Sequence, residues 1–267
     1  MNAVVPIAPH RADTVEAYRN SIERVIRHMK ANLAEPLDLD QLATIAAISK
    51  FHLVRVFDEL TGTTPRHFLS CLRMQRAKEL LFSSPAGITE ICLEVGYSSM
   101  GSFSRIFSDL VGLSPQEFRA MPKRLTTAQF ARAIWRYLAS RRKFSGPTFD
   151  GIVDGPARPR GFTFVGAFTG GVPQGVPDSG TVLIKHGTFR LQCPKVSEFH
   201  LMAVLVPFSA KFTDMAANLP VGLVASLRLR TDDLDQSGKP CLHLRPMRTT
   251  DPPIVLALPA LPPLREI

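Results

Sequence analysis

Fourteen residues of this chain occur twice. RVFDELTGTTPRHF, Arg55 to Phe68, returns fifty residues later as RIFSDLVGLSPQEF, Arg105 to Phe118. Laid over each other without a gap, the copies share Arg55/Arg105, Phe57/Phe107, Leu60/Leu110, Gly62/Gly112, Pro65/Pro115 and Phe68/Phe118. A repeat of that quality marks a duplicated supersecondary unit. A solenoid needs at least three such units to bury its faces, and only two are found.

Each copy carries the grammar of a helix, a stop and a new start. In the first, Phe51, Val54, Phe57, Asp58 and Thr61 fall three or four apart, and their apolar members predict one helical stripe. In the second, the stripe is Phe103, Ile106, Phe107, Leu110 and Val111. Gly62 and Gly112 are placed to end these helices in the left-handed conformation, and Thr64-Pro65 and Ser114-Pro115 to restart the chain with a capping hydroxyl and proline at the first helical position.

What precedes each copy narrows the choice. LDLDQLATIAAISKFHLVRVF reads as a short helix from Leu39, a tight turn at Ala47-Ile48 and a second helix capped by Ser49. ITEICLEVGYSSMGSFSRIF reads as a short helix through Ile91 and Cys92, a turn at Val95-Gly96-Tyr97, and a second helix capped by Ser98 or Ser99. Two helices joined by so short a turn form a helix-turn-helix, whose second helix enters the major groove of DNA.

With these motifs, ISKFHLVRVF followed by G-x-x-P-x-x-F and VGYSSMGSFSRIF followed by G-L-S-P-x-x-F-R, the stretch from about Ser21 to Ala120 resembles the AraC/XylS family of transcription regulators. The resemblance implies about seven helices, with two recognition helices in successive major grooves on one face of double-stranded DNA. It also implies which positions meet DNA: Ser49, Lys50, Phe51, Val54 and Arg55 on the first helix, and Ser99, Met100, Gly101, Ser102, Ser104 and Arg105 on the second. Arginine is the best bidentate partner for guanine, and Phe51 or Val54 is suited to a thymine methyl. Arg55 and Arg105 are equally suited to a phosphate clamp or an ion pair within the domain. The second set is poorer in hydrogen-bonding groups, which predicts weaker base discrimination there. His52 reads as a backbone contact or a solvent residue, and the four repeated phenylalanines as core.

The rest of the helical half follows from spacing. Residues 1–14 read as an unstructured leader, and Tyr18, Ile22, Val25-Ile26 and Met29 mark an amphipathic helix that stops before Glu35-Pro36. From Pro65 a long helix points Phe68, Leu72, Ala77 and Leu80-Leu81 inward and Arg73, Arg76 and Lys78 outward, and Ser83-Ser84-Pro85 ends it. After Ala120, residues 121–150 read as a basic helical linker, with a helix at Thr127–Ser140, a basic end at Arg141-Arg142-Lys143 and a boundary at Ser145-Gly146-Pro147.

Charge agrees with a phosphate-binding first half. The formal net charge is +9, and residues 1–145 hold 20 Lys and Arg against 13 Asp and Glu. Beyond residue 145 lie 15 of the 22 prolines, and the pattern becomes short and alternating. Strands are expected at Phe162–Phe168, Thr181–Lys185, Thr188–Cys193, Glu198–Val206, Leu223–Arg230, Cys241–Arg245 and Ile254–Leu258, with a hairpin turn at Lys185–Thr188. The fold class is therefore multidomain, α plus β: an N-terminal all-α double helix-turn-helix module over 15–120, and a mostly-β sandwich or small barrel over 151–267. GTFRLQCPKVSEFHLMAV faintly resembles a hairpin of transthyretin-like and carboxypeptidase-regulatory-like sandwiches.

Other chemistries lack their residues. Adaptive-response DNA repair proteins carry the same helical module beside a P-C-H-R nucleophile, but here Cys193-Pro194 has the wrong order and Cys241-Leu242-His243 lacks the proline and arginine. No G-x-S-x-G, P-loop, H-E-x-x-H or paired-carboxylate constellation is present. The four cysteines are scattered, without metal spacing, so no metal or cofactor is expected. No apolar run approaches a membrane span, and the expected setting is cytoplasmic. AraC-like regulators normally place the sensing domain before the DNA-binding one; here the order is reversed. The strand-rich region is expected to bind a small-molecule effector, a partner such as RNA polymerase, or a second copy as a homodimer. The competing class is an architectural DNA-binding protein with a non-sensing oligomer module.

Overall fold

The computed structural model describes residues 12–121, 147–156, 160–175, 177–209, 222–234 and 238–255. Seven helices come first: α1 Ala12–Ala31, α2 Leu39–Ala46, α3 Lys50–Thr61, α4 Pro65–Ser83, α5 Ile88–Glu94, α6 Met100–Val111 and α7 Pro115–Arg119. The first therefore begins inside the stretch read as a leader, whose residues 1–11 lie outside the described ones. So do the expected helix at Thr127–Ser140 and its basic end.

The duplicated stretch folds twice in the same way. Gly62 and Gly112 both adopt positive φ, +73° and +90°, and their N–H groups close the last turns of α3 and α6 on Asp58 O and Ser108 O. Thr64 and Ser114 then cap α4 and α7, accepting from His67 N at 3.3 Å and Glu117 N at 3.2 Å, with proline at the first position each time. A cap the sequence reading passed over starts α2. Asp38 accepts from Gln41 N at 2.8 Å, and the Gln41 amide returns the bond to Asp38 N at 3.1 Å, a reciprocal capping box.

The buried face of α3 is the one away from Phe51 and Val54, residues expected at DNA. Leu53, Val56 and Phe57 are buried, whereas Phe51 is 80% exposed and Val54 half-exposed. The three-or-four spacing fits both faces of this helix, and packing against α1 and α2 selects the other one. In α6 the expected Phe103, Phe107, Leu110 and Val111 are buried.

Two hydrophobic cores form in the helical half. Ile22, Val25, Ile26 and Met29 of α1 join Leu42, Leu53, Phe57 and the start of α4, through Phe68, Leu69 and Leu72. The second core takes Cys71, Met74, Ala77 and Leu81 from the same helix and adds Ile91, Cys92, Phe103, Phe107 and Phe118. Nineteen residues long, α4 spans about 28 Å and belongs to both.

Two charged side chains of α4 were misplaced by pattern alone. Lys78, expected outside, is wholly buried and donates to Val255 O at 3.0 Å. Arg73 is half-buried, donating to Leu33 O at 2.8 Å and Glu35 O at 2.9 Å, which ties the loop after α1 to α4. Only Arg76 stands exposed, beside Glu79 and Glu94, each at 3.2 Å. Lys78 is covered by the chain near Val255, some 177 residues away, which helical periodicity alone has no means to register.

Eight strands follow: β1 Thr148–Asp154, β2 Gly161–Phe168, β3 Ser179–Leu183, β4 Gly187–Gln192, β5 Glu198–Pro207, β6 Leu223–Arg230, β7 Cys241–His243 and β8 Arg245–Pro246. They make a three-stranded sheet, β4-β1-β7, and a five-stranded sheet, β3-β2-β5-β6-β8. The expected hairpin at Lys185–Thr188 is not one: β3 pairs with β2, β4 pairs with β1, and the turn carries the chain from one sheet to the other. Nor do β4 and β5 pair, as the transthyretin-like hairpin requires. Strand β1 is hidden in the sequence because Gly151 stands at an inward position and Ile152 at an outward one, which blurs its alternation. Ile254 and Val255 are not in a strand.

Strands β2 and β5 are buried along almost their whole length. One face, with Val165, Ala167, Phe199, Leu201 and Ala203, meets Phe149, Phe189 and Leu242 of the smaller sheet. The opposite face, with Phe162, Phe164, Met202, Val204 and Val206, is continuous with the second helical core.

Desolvation on burial pulls the Lys78 amine down to about 7, with Glu79 opposing it only in part. In the unfolded chain the same amine titrates near ~10.4. Between those values the unfolded state binds the extra proton, so the cost of burial is fully present at and below pH 7 and fades as pH rises. Between pH 7 and 9 Lys78 should add about 2 kcal/mol of stability. Urea midpoints of the wild-type chain and Lys78→Met across that range check this: the wild type should rise relative to the variant, and parallel profiles would contradict it.

Candidate nucleic-acid interface

Two pairs of helices have the same construction. α2 and α3 are joined through Ala47, Ile48 and Ser49, and α5 and α6 through Val95–Ser99. Ala47 takes φ +58° where the second unit has Gly96 at +86°. Ile48 N and Tyr97 N bond back to Ala43 O and Cys92 O in corresponding fashion. Ser49 and Ser99 cap their helices, accepting from His52 N and Ser102 N at 3.4 Å each. Counting from these matched points, the second turn holds one extra residue, Ser98, and Ser99 rather than Ser98 is the cap.

Both caps leave a helix N-terminus facing solvent, where unpaired backbone N–H groups and the helix dipole favour an anion such as phosphate. On α3 the exposed residues are Lys50, Phe51 and Arg55, with Val54 half-exposed between them. Phe51 is the most exposed large apolar side chain among the described residues, and exposure of that kind points to a contact surface. Lys50 lies 3.3 Å from Asp40 across the turn. Both side chains are well exposed, so the pair is a weak tether that a phosphate can displace.

On α6 the exposed residues are Gly101, Ser102 and Arg105; Ser104 is half-exposed, and Met100 packs partly against the second core. Arg105 is 3.7 Å from Asp109 one turn on, with both side chains more than half exposed. Of the positions expected at DNA, Met100, Ser104 and Val54 therefore offer part of their surface, and the others stand open. Over its first six residues the second helix presents one charge and little apolar surface, while the first presents two charges and an aromatic ring.

Sequence reasoning missed a role for His52. Its ring is half-buried against Tyr18, centroids 5.0 Å apart, and its Nδ1 lies 3.2 Å from the Arg55 guanidinium. Since a guanidinium only donates, Nδ1 accepts and the proton sits on Nε2. His52 thus braces Arg55 from the protein side. The signal available was the i, i+3 spacing of the two residues on one helix.

Paired, capped recognition helices in duplicated units define a DNA-binding module. Comparisons with known proteins agree at the level of that segment. Residues 42–121 match the family described as the helix-turn-helix domain. The MmsAB operon regulatory protein of Pseudomonas aeruginosa is 40% identical over 93 residues, 34% of this chain and 30% of that protein. The HTH-type transcriptional regulator GbdR of the same species is 32% identical over 98 residues, 37% of this chain and 27% of that protein. A crystal structure of an AraC-type transcriptional regulator from Chromobacterium violaceum is 32% identical, covering 38% of this chain and 91% of that one, with a TM-score of 0.37. Residues 42–121 are a helix-turn-helix domain, a DNA-binding module. The chain spans less than a third of the length of either curated relative.

If His52 positions Arg55, the two should be coupled in DNA binding. A double-mutant cycle of His52→Ala and Arg55→Ala, read as affinity for a duplex selected by the full chain, should give a coupling of about 0.5–1 kcal/mol. Strict additivity would contradict the brace.

Proposed function

We propose that the whole chain is a sequence-specific DNA-binding regulator of transcription. In this reading residues 15–120 bind a bipartite site, with α3 and α6 in successive major grooves of double-stranded DNA. The observation that carries it is the pair of capped helices, each with its N-terminal residues open to solvent and its opposite face locked in a core. Base reading falls mainly to Phe51 and Arg55 on α3, and to Arg105 and Ser102 on α6. Ser49, Ser99 and Lys50 lie where a phosphate would approach the helix starts.

The strand region from Thr148 onward modulates the DNA-binding module in this reading, with the stretch from residue 121 up to it as a basic linker. One observation favours action by contact rather than by effector binding. The apolar cavity on the outer face of the larger sheet, lined by Phe164, Phe168, Pro173, Met202 and Met247, holds about 40 Å³. That is room for little more than water, well below the ~300–1,000 Å³ of ordinary ligand pockets. Its nearest carboxylate, Asp251, is engaged by Arg245 through two bonds of 2.7 Å. A region of two sheets packed solidly on a shared core, as a sandwich is, suits docking to the helical module, to RNA polymerase or to a second copy.

Binding by substituted chains separates a specific regulator from an architectural protein. Arg55→Ala should cost ~1–3 kcal/mol on the selected sequence and relax base preference in one half of the site. Arg105→Ala should do less, because the helix around it presents fewer reading groups. Uniform weakening on every sequence, measured at matched salt, would make both residues phosphate contacts and favour the architectural class.

A further inference from the structure

The two helix-turn-helix units do not pack on each other through a common core. Between them lies an open polar cleft of about 370 Å³, bordered by Thr64, Arg66 and His67 of α4, Asp109 and Leu110 of α6, and Gln174. On the far side of α4 the units touch, Gly96 lying against Leu33 and Ala34 with Arg73 between Leu33 O and the Tyr97 ring; on the cleft side they are joined through the strand region.

The loop between β2 and β3, described over residues 169–175 and 177–178, crosses to both units. Its base is closed by Asp178 N donating to Ala167 O at 3.0 Å and by Thr169 Oγ1 donating to Asp178 at 2.8 Å. At the first unit, Gly171 lies directly on the end of α3: a Cβ there would stand 1.7 Å from Gly62 O. Gln174 Oε1 accepts from His67 Nε2 at 2.9 Å. At the second unit, Gly175 N donates to Leu110 O at 3.0 Å, filling one of the open carbonyls in the last turn of α6. Arg228 of β6 adds an ion pair to Asp58 of α3 at 3.7 Å.

These contacts fall on corresponding places, the C-terminal ends of the two recognition helices. The second unit is already continuous with the larger sheet through one core. The first meets the strand region through Gly171, Gln174 and Arg228, at the end of α3 away from Phe51. As α3 is a rigid rod of about 18 Å, a displacement at Gly62 moves Phe51 and Arg55 with it.

We infer that the β2–β3 loop sets the half-site spacing and phase the two recognition helices accept, with Gly171 as the positioning residue. The inference rests on the DNA-reading proposal above. It gives the strand region a task in specificity that needs neither effector nor second copy.

The test uses the full chain and a bipartite duplex it enriches from a random pool, with the half-sites then moved apart or together one base pair at a time. Each step rotates one half-site by a tenth of a helical turn or so. For the wild type a one-base-pair change should lower affinity about tenfold or more, in the range of a mismatched pair. Gly171→Val should reduce that penalty to about threefold or less, while affinity for a single half-site stays unchanged. Should Gly171→Val fail to fold, the double variant Gln174→Ala/Arg228→Ala keeps the loop backbone and should flatten the spacing profile in the same sense. A spacing profile that matches the wild type in the folded variants overturns the inference. So does a wild-type chain indifferent to spacing, which leaves the regulator reading intact. Failure to enrich any sequence sinks the regulator reading itself.

Discussion

Helix α4 supplies side chains to two hydrophobic cores, and the rest of the helical half is arranged by that division. Its first turns bury Phe68, Leu69 and Leu72 with α1, α2 and α3; its later turns bury Met74, Ala77 and Leu81 with α5, α6 and α7. Each core fixes one recognition helix by its inward face and leaves the other face in water. Because the cores stay separate, the stability of each unit and the geometry between units are different problems. Packing settles the first. The second is settled by the length of α4 and by whatever spans the cleft beside it.

Stability and DNA contact draw on different residues. The side chains that hold α3 and α6 are Leu53, Phe57, Phe103 and Phe107, all fully buried. Of those proposed to meet DNA, Lys50 and Arg105 make exposed pairs with Asp40 and Asp109, each contributing about 0–1 kcal/mol at most, and Arg55 leans on half-buried His52. Such pairs hold the side chains without committing them. Charge in the interior is confined among the described residues to Lys78, whose amine is kept near neutrality by desolvation and satisfied by Val255 O. A group that costs stability at neutral pH, held by the chain far along the sequence, ties the second helical core to the strand region.

The helical half was legible because its signals are local. Glycine stops, capping hydroxyls and prolines at the first helical turn sit within a few residues of what they determine, and the duplication let each copy corroborate the other. What failed was anything decided by distant chain. Phe51, expected at DNA, fell in one stripe with the buried Phe57, and its open position belongs to the packing of α3 on α1 and α2. Lys78 was assigned outward because nothing near it announces Val255. In the strand region most segments were found to within a residue or two, but their pairing was not: the turn before Gly187 resembles a hairpin and is a crossing between sheets. Strand β1 was hidden by Gly151 at an inward position and Ile152 at an outward one. The brace of Arg55 by His52 was within reach of helical spacing, since the two residues stand three apart on α3.

The account stands on two recognition helices reading one site together. Selection of bound duplexes from a random pool by the full chain at fixed salt tests it most directly. The account predicts a single bipartite motif, its two halves centred about one helical turn apart, with the half read by α3 the better defined. Enrichment of a single undivided motif, or of none, would contradict it.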